Sequence, residues 1–205
     1  MTTFFFVRHG VTDHTGHKLS GWMEGIHLNT EGRRQVEATA QALAQVQFKA
    51  IYTSPIDRCF ETAKAIAAHH PKLELVMDEG LCEVGYGKWT NRTLKSLMKT
   101  KLWEVVQRRP SAVTFPDGET FRSVQYRAVN SVEAIGKNHR HGAVCCVSHG
   151  DVIKLVLAHY LGVHMDLFQR IVTAPAGISA LSVGDGDPHI WSLNAMPMTI
   201  PGRAI

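Results

Sequence analysis

Two short segments of this chain end alike. Phe4-Phe5-Phe6-Val7 runs into Arg8-His9-Gly10, and Val144-Cys145-Cys146-Val147 runs into Ser148-His149-Gly150. One histidine after an apolar run reads most simply as a satisfied core or loop residue. Two in matching contexts point to chemistry. In open α/β sheets, ligands bind where loops leave the carboxyl ends of the strands, so neighbouring strands would bring both imidazoles to one crevice. The glycine after each lets the backbone turn sharply and come close to a ligand. Arg8 precedes the first histidine, and Arg58 falls in the first turn of a helix that Ser54-Pro55 should open. Taken alone, either arginine reads as a surface charge. A helix N-terminus beside Arg58, however, offers free N–H groups to an anion. Two guanidinium groups, helix-end amides and two imidazoles together form a donor set suited to phosphate.

The elements that must position these groups alternate along the chain. Thr3 to Val7 reads as a buried strand, because it is a continuous run of aromatic and β-branched residues. Asn29-Thr30 can cap a helix with Val36, Ala40 and Leu43 on one face. Ala50 to Thr53 is a second strand, and Ser54-Pro55 supplies an N-cap and a proline at the first helical position for a helix to about His69. Leu73 to Met77 is a third strand candidate. Residues 84 to 120 mix Gly, Lys, Trp and Arg around one helical stretch, Leu94 to Gln107, and read as a helical insertion over the active site at one edge of the sheet. Phe121 to Gly136 is again helical, Ala143 to Val147 a buried strand, and Asp151 to Leu161 a helix. Ile178 to Val183 and His189 to Leu193 flank Gly184-Asp185-Gly186-Asp187 as a hairpin. Residues 196 to 205, with two prolines and no pattern, read as a loose tail. Strands alternating with helices predict an α/β fold, a three-layer αβα sandwich around a mainly parallel sheet, in a single domain.

Bulk properties narrow the function. The 205 residues are 44% hydrophobic and 20% charged, an ordinary globular balance. No apolar run approaches the roughly 20 residues needed to cross a bilayer. Met1 to Arg8 lacks the character of a secretion signal, so the expected location is the cytoplasm, with no membrane partner. The four cysteines form no CxxC pair and read as small buried hydrophobes in a reduced core. A net charge of +4 is too scattered to argue for nucleic acid and suits a small anionic substrate. The remaining histidines form no HExxH and no carboxylate–His cluster, so no metal site and no cofactor are expected. His14 and His17, in the loop after His9, are candidates for the pocket entrance. An edge strand or the Phe-rich N-terminal region offers a surface for a homodimer.

Arg8-His9-Gly10, Ser54-Pro55-x-x-Arg58-x-x-Glu61-Thr62-Ala63, Glu83 and Ser148-His149-Gly150, in this order, resemble the histidine phosphatase superfamily, also called phosphoglycerate mutase-like. The resemblance spans about residues 3 to 195. Gly21-Trp22, Leu28 to Gly32 and Gly87-Lys88-Trp89 extend it. It implies that His9 is a nucleophile that takes the phosphoryl group, that Arg8, Arg58 and His149 hold the phosphoryl oxygens, and that Glu83 is the general acid and base. Glu83 read alone would be a surface carboxylate. Leu81 and Val84 beside it favour a raised pKa. Thr15, Gly21 and Gly150 complete the implied substrate-binding set.

The chain departs from the family pattern where Val11 and Thr15 stand in place of Glu and Asn, and where Thr90-Asn91 replaces Glu-Gly after Trp89. Thr15 is therefore expected to replace the Asn contact with its hydroxyl or leave it to water. The insertion is rich in cations: Lys88, Arg92, Lys95, Lys99, Lys101, Arg108 and Arg109. Most of these are expected on a solvated face. The expected activity is hydrolysis of small phosphomonoesters without a metal. A phosphomutase is the alternative, and a non-catalytic phospho-ligand binder is a third class that intact His9, Arg58 and His149 disfavour.

Overall fold

The computed structural model describes residues 1–197. A six-stranded sheet, ordered β3-β2-β4-β1-β5-β6, forms the middle layer. Strands β1 (Thr2–Arg8), β2 (Phe48–Thr53), β3 (Leu75–Met77) and β4 (Ala143–Ser148) run parallel, and β5 (Ile178–Val183) and β6 (His189–Ala195) close one side antiparallel. This is the mainly parallel sandwich expected from the alternation of elements.

The alternation of side chains across the central strands explains the three layers. Phe4 and Phe6 of β1, with Val144 and Cys146 of β4, enter a core shared with helices α5 (Phe121–Asn138) and α6 (Gly150–Tyr160). Phe5 and Val7, with Cys145 and Val147, face α1 (Thr30–Leu43) and α2 (Asp57–Ala68) on the other side. A strand buried on both faces must be apolar throughout, which is why these runs lack a polar alternation. Fully burying each such side chain contributes about 1.5–3 kcal/mol relative to exposure. All four cysteines are buried and free, as expected of small hydrophobes.

The Phe-rich β1 is a central strand, paired with β4 on one side and β5 on the other, so it presents no free sheet edge. The edge strands are β3 and β6.

Several boundaries differ from expectation for local reasons. Asn29 caps α1 through its side chain, which accepts from the Gly32 amide at 2.9 Å. Helix α2, by contrast, starts at Asp57 with Ile56 at its N-cap, so Ser54-Pro55 precedes the helix. The Ser54 amide still donates to Val147 O at 3.0 Å, which keeps the chain in the sheet for one residue longer, and its hydroxyl, while accepting from the Ile56 amide at 3.4 Å, also reaches the site.

The helical stretch at 94–107 is two helices, α3 (Leu94–Leu97) and α4 (Lys101–Arg108). Thr100 divides them because its hydroxyl caps the second, accepting from the Trp103 amide at 3.3 Å. Residues 84–120 do not simply cover an edge. Trp89, Leu97, Val106, Val113 and Phe115 join the core on the α5–α6 face of the sheet. Helix α5 begins with a Thr120–Ser123 capping box. Met196 and Pro197 follow β6 without regular structure, and the rest of the tail expected to be loose, 198–205, lies outside the described residues. Among the described residues, no helix is long and apolar enough to cross a membrane.

Candidate active site

The register of β1 against β4 sets the site. Arg8 pairs with Ser148, and the His9 amide donates to Ser148 O at 3.0 Å, so the two His-Gly turns leave the sheet side by side. The His9 and His149 rings meet edge-on, with centroids 5.3 Å apart. They lie at the carboxyl ends of the central parallel strands, beside a cavity of about 270 Å³ that Arg8, His9, Arg58, Glu83 and Gly150 line.

The His9 ring is fixed by its own turn. Its Nδ1 lies 2.7 Å from Gly10 O, which can only accept, so Nδ1 carries the proton and Nε2 keeps its lone pair. Arg58 Nε donates to that Nε2 at 3.3 Å, consistent with this tautomer. Burial lowers the His9 pKa well below the usual imidazole value, and Arg58 and Arg8 reinforce the shift. The ring is therefore neutral at neutral pH, as a nucleophile must be.

Arg58 is almost wholly buried, at 2% exposure, and three neighbours orient it. Its Nη2 donates to Gly21 O at 2.8 Å and to His149 Nδ1 at 3.2 Å, while Nε reaches His9. Arg8 donates through Nη1 to Thr173 O at 2.7 Å. One nitrogen of each guanidinium, Arg58 Nη1 and Arg8 Nε, is buried without a hydrogen-bond partner among the described residues. Leaving a charged donor unpaired in the interior is costly, so these two groups mark where an anion belongs.

His149 is enclosed at 0% exposure. Because Nδ1 accepts from Arg58, its Nε2 carries the proton and donates to Ser54 Oγ at 3.0 Å. Cys59 Sγ lies 3.4 Å from the same nitrogen. Burial, followed by Arg58 and His9, lowers the His149 pKa well below 6.5. A phosphate dianion bound beside it would oppose this shift.

Glu83 leaves 13% of its side chain exposed, and its Oε2 stands 3.7 Å from His149 Nδ1. Burial raises its pKa to about 7, assisted by the negative charge of Asp151 and opposed by Arg58. A carboxyl group that titrates there can donate a proton in one step and accept one in the next.

Three residues implied by the resemblance occupy other local roles. Gly21 has φ of +52° and presents its carbonyl to Arg58; it orients the guanidinium rather than lining the cavity. Thr15 lines the cavity, but its hydroxyl accepts from the Thr12 amide at 2.9 Å and meets Thr12 Oγ1 at 3.2 Å, which ties up the loop. Gly150 opens α6 so close to Arg8 that a Cβ there would lie 3.1 Å from Arg8 Nε. His14 lines the cavity, whereas His17 does not.

Several lining residues escaped the sequence reading: Lys18, Ser20, Tyr86, Leu94, Asp151 and Lys154. Asp151 and Lys154 had a legible signal, since they follow Gly150 at helical spacing on the first turn of α6. Tyr86 donates to Asp151 Oδ2 at 3.2 Å, and Lys154 pairs with Asp151 Oδ1 at 3.2 Å. None of the seven insertion cations lines the cavity. All are exposed, with Lys88 paired to Asp117 at 2.9 Å and Arg108 to Glu104 at 3.0 Å.

Known proteins share this arrangement of chain. Phosphoserine phosphatase 1 of Hydrogenobacter thermophilus is 28% identical over 170 residues, covering 82% of this chain and 80% of that protein. A 2,3-bisphosphoglycerate-dependent phosphoglycerate mutase of Thermoplasma acidophilum is 27% identical, covering 97% and 95%. The crystal structure of phosphoserine phosphatase from Entamoeba histolytica, in complex with 3-phosphoglyceric acid, superposes with a TM-score of 0.85 at 25% identity, covering 96% of this chain and 98% of that one. The family model for the histidine phosphatase superfamily, branch 1, matches residues 4–196. The chain belongs to the histidine phosphatase superfamily.

Proposed function

We propose that the protein is a phosphatase that hydrolyses small phosphomonoesters through a phosphohistidine on His9, without a metal ion. The observation that carries this reading is the neutral His9 Nε2 in a site with two buried guanidinium nitrogens, Arg8 Nε and Arg58 Nη1, that have no hydrogen-bond partner among the described residues.

A phosphoryl group held by those donors receives the Nε2 lone pair in line, forming N–P as the P–O bond to the leaving group breaks. Arg8, Arg58 and His149 offset the charge on the phosphoryl oxygens, which is the work a metal ion would otherwise do. Glu83 gives its proton to the departing alkoxide. As a carboxylate it then takes a proton from the water that attacks phosphorus, and N–P breaks to release inorganic phosphate and the resting imidazole.

The superfamily includes phosphatases and phosphomutases, and the relatives above include both. The insertion favours hydrolysis here. A mutase primed by a bisphosphate needs cations for a second phosphate, and the exposed insertion cations do not reach the cavity. The test is release of inorganic phosphate from p-nitrophenyl phosphate and from an alkyl phosphate, with chelator present and no bisphosphate primer. Steady turnover of both supports the proposal. Turnover that requires a bisphosphate would make it a mutase, and strong inhibition by the chelator would overturn the metal-free mechanism.

A further inference from the structure

The cavity beside His9 carries more positive charge than one phosphate group requires. Arg8, Arg58, Lys18 and Lys154 all line it, against Asp151 and a Glu83 that must hold a proton to act as an acid. His9, His14 and His149 contribute none, because burial lowers the proton affinity of each. A phosphate dianion offsets two of the three excess charges and leaves one.

That remaining charge can be placed. Arg8 and Arg58 hold the phosphoryl oxygens, and Lys154 is matched by Asp151 at 3.2 Å. Among the described residues, Lys18 meets only a neutral acceptor, Asn91 Oδ1, at 3.4 Å. Its backbone is fixed to the insertion. Leu94 N donates to His17 O at 2.8 Å, Leu19 N to Arg92 O at 3.1 Å and Asn91 N to Leu19 O at 2.7 Å, with a bridge between Lys18 and Thr93. Asn91 sits in the left-handed region at φ of +63°, a conformation that Asn tolerates better than most residues. Lys18 and the Thr90-Asn91 departure from the family pattern thus form one structure, an ammonium group held at the cavity wall by a short ladder.

We infer that the substrate's leaving group carries a carboxylate, and that Lys18, steadied by Asn91, sets this selectivity. One residual charge suits a monovalent anion, and about 270 Å³ accommodates a leaving group of a few carbons. An ammonium facing the cavity without an anion gains little from a neutral hydroxyl and much more from a charge-assisted hydrogen bond to a carboxylate. The inference rests on the reading of this cavity as a phosphomonoester site, but its test does not need turnover.

The experiment measures binding by calorimetry in the His9→Ala background, which keeps ligands intact. The ligands are phosphoglycolate and 2-hydroxyethyl phosphate, identical except for a carboxylate in place of a hydroxymethyl group. Phosphoglycolate is expected to bind about tenfold more tightly. Adding Lys18→Gln should bring the two affinities to within about twofold, and Lys18→Glu should favour phosphoethanolamine over phosphoglycolate. Effects of either variant on phosphate binding itself cancel in the ratio. Equal affinities in the His9→Ala protein, a ratio untouched by Lys18→Gln, or failure to bind either ligand would overturn the inference. Should the Lys18 variants not fold, the His9→Ala comparison alone decides. Failure of the wild type to hydrolyse any ester would remove the proposed function while leaving this selectivity standing.

Discussion

Arg127, on α5 and outside the cavity, donates through Nη2 to the backbone carbonyl of Glu83 at 2.8 Å. Its Nη1 donates to Gly80 O at 2.9 Å and to Cys82 O at 2.8 Å, so one guanidinium grips three carbonyls of the segment that presents the acid. Glu119 completes the brace. It accepts from Arg127 Nε at 2.8 Å and from the Gly85 amide at 2.7 Å, on the far side of Glu83. Trp22 Nε1 donates to the same Glu83 carbonyl.

In the proposed mechanism, Arg127 is therefore a positioning residue for the acid. Arg127→Ala should lower kcat for an alkyl phosphate about tenfold to a hundredfold, and affect p-nitrophenyl phosphate much less, because only the poor leaving group needs a proton. The measurement is the slope of rate against leaving-group pKa, which should steepen in the variant. A uniform loss across the series would assign Arg127 to stability alone.

The Glu83 pKa of about 7, raised by burial and Asp151, makes two predictions with fixed signs. As the acid it must be protonated, so kcat for alkyl phosphates should fall as pH rises through about 7, and Glu83→Gln should abolish that limb. For stability, the folded state keeps a proton that the unfolded chain releases near the ordinary glutamate pKa of 4.5. The associated stabilisation is present below that pH and is lost as pH rises toward about 7. Glu83→Gln should then be more stable than the wild type above pH 7, by on the order of 2–3 kcal/mol. Thermal denaturation at pH 5 and pH 8 checks this; a variant no more stable at pH 8 than at pH 5 relative to wild type would contradict it.

Gly150 leaves room for the Arg8 guanidinium, since a Cβ would stand 3.1 Å from Nε and 3.2 Å from Cζ. Gly150→Ala should displace the group that marks the anion site and reduce kcat/KM at least about tenfold on every ester. The helix would tolerate alanine, so the melting temperature should change little. Full activity in this variant would show that Arg8 Nε does not bear on the phosphoryl group.

Much of the site was legible because sheet physics leaves few choices. Two apolar runs buried on both faces had to be central strands, and their shared His-Gly endings meet because β1 pairs with β4. Arg58 could be placed because a helix follows directly on β2. What escaped depended on details that spacing does not encode. Ser54 looked like a helix cap, but one further ladder hydrogen bond carries it into the site, where its hydroxyl accepts from His149 Nε2. Gly21 looked like a ligand contact and proved to orient Arg58 through its carbonyl. Thr100 split one helical period into two helices by capping the second. Lys18 and Asn91, 73 residues apart, came together only through the ladder between loop and insertion.

The central claim is that His9 Nε2 takes the phosphoryl group. The most direct test is acid-labile, base-stable labelling after rapid mixing with a ³²P-labelled phosphomonoester, with the labelled peptide mapped. The wild type should carry label on His9, formed and lost at rates that account for turnover, and His9→Ala should carry none and turn over no ester. Label on another residue, or turnover by His9→Ala near the wild-type rate, would contradict the account.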